Sequence, residues 1–264
     1  MKLLIIGLLL AATARAQFSA EDMLQPCVYT NAAGETFAYR LSVPQFPVAG
    51  KKYPVILFLH GSGECGTDNL KHIKVGLPVL MNTLLKRPKP EPVIVVAPQC
   101  QSSNWWVKGL AMREDYAAAR EPTPSLAVAL ELVRHLVVEA QGDPDRLYIT
   151  GLSLGGFGTW DAIQRDPSLF AAAIPVCGGG DLRRVQGIKR LPIWAFHGRD
   201  DKHVAVACSR RMVMALKKIG NRKVRYTEYE GADHNVWDRT YANPEVIEWL
   251  LRQTRVEKPW WKVW

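Results

Sequence analysis

Two apolar periods alternate along this chain, and their order predicts its elements. Between Thr36 and Val43, the apolar residues Phe37, Tyr39, Leu41 and Val43 alternate with Ala38, Arg40 and Ser42, which is the period of a half-buried strand, and Pro44 ends it. Tyr53 to Leu59 and Val93 to Ala97 are short, β-branched-rich apolar runs bounded by Pro, Gly and His, the pattern of parallel strands buried on both faces. The period then lengthens. Leu126, Leu130, Val133 and Val137 recur at helical spacing between Pro124 and Ala140, with Pro124 near the start and Gly142 just past the end. Arg146 to Thr150, Ala171 to Val176, Pro192 to Phe196 and Val224 to Tyr229 complete the strands, and helical runs near Gly155 to Arg165, Ala205 to Ile219 and Pro244 to Gln253 are interleaved with them. Such alternation predicts an α/β fold: a mostly parallel central sheet with helices on both faces, in three layers.

The ends of the chain differ from its middle. At 264 residues and 48% hydrophobic, the chain suits one α/β domain, and no composition break, repeat or low-complexity segment divides it. Residues 1–16 have the form of an export signal: Lys2, an apolar run from Leu3 to Ala12, and Ala14-Arg15-Ala16 as a cleavage site before Gln17. That run is shorter than the roughly 20 residues a membrane-spanning helix needs. A domain over 17–254 is therefore expected to be secreted or periplasmic, with no stable membrane insertion after signal cleavage. The tail over 255–264 carries Trp260, Trp261 and Trp264 near Lys258 and Lys262 and is expected to dock on the domain.

The formal charge is +9, and loss of Lys2 and Arg15 leaves 9 − 2 = +7, without a long uninterrupted basic run. A solvated basic surface accounts for that balance, and no nucleic-acid partner is expected. Five cysteines allow at most two internal disulfides. Cys65 and Cys100 each follow a strand-like run, which brings their loops to one end of the sheet and makes them a candidate pair. No pair of histidines or cysteines has the close spacing of a zinc site, so no metal site is expected.

The chemistry centres on Gly151-Leu152-Ser153-Leu154-Gly155-Gly156, which follows a strand-like run and opens a helical one. A serine on a strand-to-helix elbow needs small residues two positions to either side, and Gly151 and Gly155 supply them. A hydroxyl nucleophile also needs a base, and the base needs an acid behind it. His234 lies just after the last strand and Asp201, beside Asp200, just after the strand before it. In open α/β sheets functional groups gather at the carboxyl ends of strands, and here the chain order is serine, acid, histidine. The amides of Leu154 and Ser62, with Gly63 the alternative to Ser62, are candidate oxyanion donors, because His60-Gly61-Ser62-Gly63-Glu64-Cys65-Gly66 is a glycine-rich loop that lets backbone approach a ligand. Trp105 and Trp106 are candidates to line the substrate pocket or, equally, to pack in the core.

With these residues assembled, the chain resembles the α/β-hydrolase superfamily, and within it the secreted bacterial esterases grouped with dienelactone hydrolase-like, polyhydroxybutyrate depolymerase-like and feruloyl-esterase-like proteins. The resemblance covers roughly Thr36 to Gln253. It rests on His60-Gly61-Ser62-Gly63, Ala97-Pro98-Gln99-Cys100, the run from Gly151 to Trp160, Cys177-Gly178-Gly179-Gly180-Asp181, and His197-Gly-x-x-Asp201-x-x-Val204. The last pattern selects Asp201 over Asp200, although Ala205 stands where the family often has proline. The resemblance implies an α/β-hydrolase fold and a serine carboxylic ester hydrolase. Ser153 would attack an ester carbonyl with His234 as base and Asp201 as acid, and no cofactor would take part. It points to a small-molecule or polysaccharide ester substrate, such as acetylated or feruloylated xylan. A serine peptidase on the same fold and a catalytically idle carbohydrate-binding protein are the alternatives.

Overall fold

The computed structural model describes residues 22–88, 90–108 and 116–255. The expected export signal over 1–16 lies outside these residues, as does the expected tail beyond Arg255. Eight strands form one sheet: β1 (Gln25–Thr30), β2 (Thr36–Ser42), β3 (Tyr53–Leu59), β4 (Ile94–Pro98), β5 (Gly142–Leu152), β6 (Ala172–Val176), β7 (Ile193–Gly198) and β8 (Val224–Tyr229). They lie in the order β1-β2-β4-β3-β5-β6-β7-β8. The ladders from β4 through β3, β5, β6 and β7 to β8 are parallel, and β2 pairs antiparallel with both β1 and β4. This is the α/β-hydrolase fold.

Every residue of β3, β4 and β6 is buried, as the continuous apolar runs require. Successive side chains of a strand face opposite sides of the sheet. Val55, Leu57 and Leu59 accordingly enter one core, with the helices α2 (Pro124–Glu139), α3 (Leu154–Arg165) and α4 (Ala207–Lys218), while Ile56 and Phe58 enter the other. That second core holds α1 (Leu77–Leu85), α5 (Trp237–Tyr241) and α6 (Pro244–Leu251). Each such fully buried side chain contributes about 1.5–3 kcal/mol relative to exposure. Local signals fix where helices start. The Thr123 hydroxyl accepts from the Leu126 amide at 3.1 Å and Asn243 from the Glu245 amide at 3.0 Å, each with proline in the first turn. Because β5, β7 and β8 run parallel, the residues that follow them leave the sheet at one edge, where the site is built.

Candidate active site

Ser153 is the single residue between β5 and α3, at φ 53° and ψ −116°. A non-glycine residue held there stores strain on the order of 1–3 kcal/mol. Two backbone bonds hold it: the Ser153 N–H donates to the Val176 carbonyl at 2.9 Å, and its own carbonyl accepts from the Phe157 amide at 3.1 Å. Its glycine neighbours are obligatory. A β-carbon on Gly151 would run into the Gly155 carbonyl, and one on Gly155 into the Leu59 carbonyl.

The structure brings Ser153, His234 and Asp201 into one hydrogen-bonded chain. His234 Nε2 lies 2.9 Å from Ser153 Oγ, and His234 Nδ1 lies 2.6 Å from Asp201 Oδ2. The Asp201 side chain has no exposed surface, and that of His234 is 14% exposed. Burial alone would raise the Asp201 pKa, but hydrogen bonds from His197, His234 and the Val204 amide outweigh it and hold the carboxyl well below the usual range. An ionised carboxylate only accepts, so Nδ1 of a neutral His234 carries the proton and Nε2 is free to accept from the serine hydroxyl. The loops are fixed in turn: Asp201 Oδ1 accepts from the His203 and Val204 amides at 2.9 and 2.8 Å. The Asp200 amide donates to the Ala232 carbonyl at 3.0 Å while its side chain stays exposed, so Asp201 alone of the pair faces His234.

Three supporting residues were not assigned such roles from the sequence. His197 is fully buried, with Nε2 3.0 Å from the Val204 carbonyl and 3.2 Å from Asp201 Oδ2 and Nδ1 2.7 Å from Ser209 Oγ. Its spacing of four residues from Asp201 was the available signal. Cys177, at φ 49°, donates its thiol to the His234 carbonyl at 3.3 Å; burial first, and then the Asp201 charge, push that thiol up. Trp237, three residues beyond His234, sets its ring edge-on to the imidazole, with centroids 5.3 Å apart at 88°.

The glycine-rich loop borders Ser153: a β-carbon on Gly61 would lie 3.6 Å from that of Ser153. Ser62 opens the short 3₁₀ turn Ser62–Glu64 that follows, and Leu154 is the first residue of α3, whose leading amides have no intrahelical acceptor. Trp106 is a correction to the expected substrate contacts. It is 1% exposed, its indole N–H donates to the His60 carbonyl at 3.0 Å, and its β-carbon sits beside Gly158, so it packs in the core. Trp105 is half-buried against the same core. The cysteine loops do meet: Cys65 Sγ and Cys100 Sγ are 3.3 Å apart, both as free thiols. Two groups of potential metal ligands that linear spacing did not reveal also converge within 4.8 Å, His60 with Cys65 and Cys100, and Cys177 with Asp201 and His234.

The chain has measurable relatives. The model of the prolyl oligopeptidase family matches residues 129–195, a stretch that contains Ser153 but neither Asp201 nor His234. Poly(3-hydroxyalkanoate) depolymerase C of Paucimonas lemoignei is 31% identical over 126 residues, 48% of this chain and 28% of that protein. A solved thermostable esterase is 41% identical with a TM-score of 0.77, over 89% of this chain and 64% of that one. The feruloyl esterase module of Clostridium thermocellum, solved with sinapinate, shares 16% identity and a TM-score of 0.62 over 84% of this chain and 86% of its own, a likeness of fold. This chain thus spans under a third of the curated relative's length and under two thirds of the thermostable esterase's.

Proposed function

We propose that this α/β-hydrolase is a serine carboxylic ester hydrolase working through an acyl-enzyme. The observation that carries the reading is the Ser153–His234–Asp201 chain, 2.9 and 2.6 Å, at the ends of three parallel strands. Ser153 Oγ attacks the ester carbonyl while its proton passes to His234 Nε2, and Asp201 stabilises the imidazolium that forms. The carbonyl oxygen becomes an oxyanion facing the Leu154 and Ser62 amides. Collapse expels the alcohol, protonated by His234, which then draws a proton from water as that water attacks the acyl-enzyme and frees the acid. No metal or organic cofactor enters these steps.

Likeness to an esterase at 41% identity supports ester over amide substrates. Acetyl or feruloyl esters of plant polysaccharide, or similar small esters, are the proposed substrate class, in keeping with the feruloyl esterase module among the fold neighbours. Export by the N-terminal signal would place the enzyme with such polymers. A peptidase activity is the second reading, favoured by the prolyl oligopeptidase family match. An idle binder has no use for a serine held at φ 53° against its histidine. A fluorophosphonate should label the protein one-to-one at Ser153, and Ser153→Ala should abolish both labelling and ester hydrolysis while keeping the fold. Hydrolysis of peptide amides with nitrophenyl, acetyl and feruloyl esters left intact would reverse the substrate assignment.

A further inference from the structure

β3 and β4 are parallel neighbours, with Val55 opposite Ile94 and Leu57 opposite Val96, so the loops after them leave the sheet side by side. The loop after β3 carries Ser62 and then Cys65, and the loop after β4 carries Gln99 and Cys100. Three contacts already clamp them together. The Gly66 amide donates to the Cys100 carbonyl at 2.9 Å, the Cys100 amide to His60 Nε2 at 3.1 Å, and Gln99 Nε2 to the Glu64 carbonyl at 3.1 Å. Within that clamp the two sulfurs stand 3.3 Å apart, so a disulfide needs them to close by only about 1 Å, a distance side-chain rotation supplies.

We propose that Cys65 and Cys100 form a site of covalent modification, a dithiol that a disulfide oxidant closes into an intramolecular disulfide tying the Ser62 loop to the end of β4. Cys65 is the entry point, at 8% exposure against 1% for Cys100. The Cys65 thiolate attacks one sulfur of the oxidant R–S–S–R, forming Cys65–S–S–R and expelling RS⁻, which takes up a proton. Cys100, deprotonated in its turn, attacks the Cys65 sulfur, breaking the mixed disulfide and releasing the second thiol. The two cysteines give up two electrons and two protons, and the oxidant leaves as two RSH. The bridge closes a long loop of the unfolded chain and thereby favours the folded state.

The test treats the full chain with glutathione disulfide, alkylates remaining thiols and maps the peptides by mass spectrometry. The expected product is one Cys65–Cys100 cross-link, two hydrogens lighter than the reduced chain, with Cys27, Cys177 and Cys208 alkylated. Its Tm should rise by roughly 5–10 °C and fall back with dithiothreitol. Cys65→Ala should fold, form no cross-link and lose the oxidant-dependent rise in Tm. Alkylation of both thiols after oxidation overturns the proposal. So does a cross-link to Cys27, or protection of the pair only by added Zn²⁺ with no cross-link. These readouts do not depend on activity: a cross-link in a protein that fluorophosphonate fails to label at Ser153 would sink the esterase reading and leave the disulfide standing.

Discussion

At the scale of single residues, Asp201 is the sharpest case. Its two oxygens do different work: Oδ1 accepts two loop amides, and Oδ2 faces His234 Nδ1. An asparagine has one acceptor oxygen, so keeping the amides satisfied turns its NH₂ toward His234 and forces the proton onto Nε2, where it faces the serine. Asp201→Asn should therefore lower kcat for a nitrophenyl ester on the order of 10³–10⁴-fold. Asp200→Asn, on an exposed side chain, should stay within about threefold. Equal losses would show that the acid is misassigned. The sequence separated Asp201 from Asp200 only through the family resemblance, because adjacent carboxylates look alike until a loop turns one of them inward. His197 and Cys177 were harder still. His197 left only its four-residue spacing from Asp201, and Cys177 left no spacing rule at all, since its contact with the His234 carbonyl crosses 57 positions.

The elements themselves were largely legible, and the exceptions have identifiable causes. The pattern does not predict β1: Gln25–Thr30 carries Pro26 and polar residues, has no buried residue, and is a strand only because β2 offers its edge, with Gln25 opposite Leu41. The pattern does not predict α1 either, although Leu77, Leu80, Met81 and Leu84, its buried residues, have helical spacing, because Gly76 and Pro78 interrupt it at its start. α5, five residues from Trp237 to Tyr241, is also not predicted, being too short to show a period; the remaining predicted and observed bounds differ mainly at the ends, as with β5, which starts at Gly142 because Tyr53 pairs there before a register shift. The strand-to-helix elbow allows the strongest prediction at this scale. Gly155→Ala forces a methyl into the Leu59 carbonyl, so the contact between β3 and α3 must open, and urea unfolding should show a loss of at least about 3 kcal/mol. Gly63→Ala, with open space around it, should change stability by less than about 0.5 kcal/mol. Similar values for the two would refute the packing described for the elbow.

For the molecule as a whole, two buried histidines beside the glycine-rich loop predict acid sensitivity. Burial lowers His60 from 6.5 to about 4 and His72 from 6.5 to about 3. Above pH 6.5 both are neutral folded or unfolded, and their contribution is complete. As pH falls toward 4 the unfolded chain takes up protons that the folded one refuses, so stability drops, by up to about 2.7 kcal/mol per pH unit from the pair. Urea midpoints at pH 7 and pH 5 should show the fall, and His72→Leu should roughly halve its slope; equal midpoints in the unaltered protein would contradict it. The sequence by itself determined the alternation of strands and helices, the elbow, and the serine–acid–histidine order, because periodicity, glycine and chain order are local or one-dimensional properties. Tertiary structure decided what those properties cannot encode. It turned Asp201 rather than Asp200 toward His234, set His197 and Cys177 behind the site, buried Trp106, and brought two thiols from adjacent strand ends within 3.3 Å. Each is a contact between distant positions, fixed only when parallel strands align their ends at one edge of the sheet.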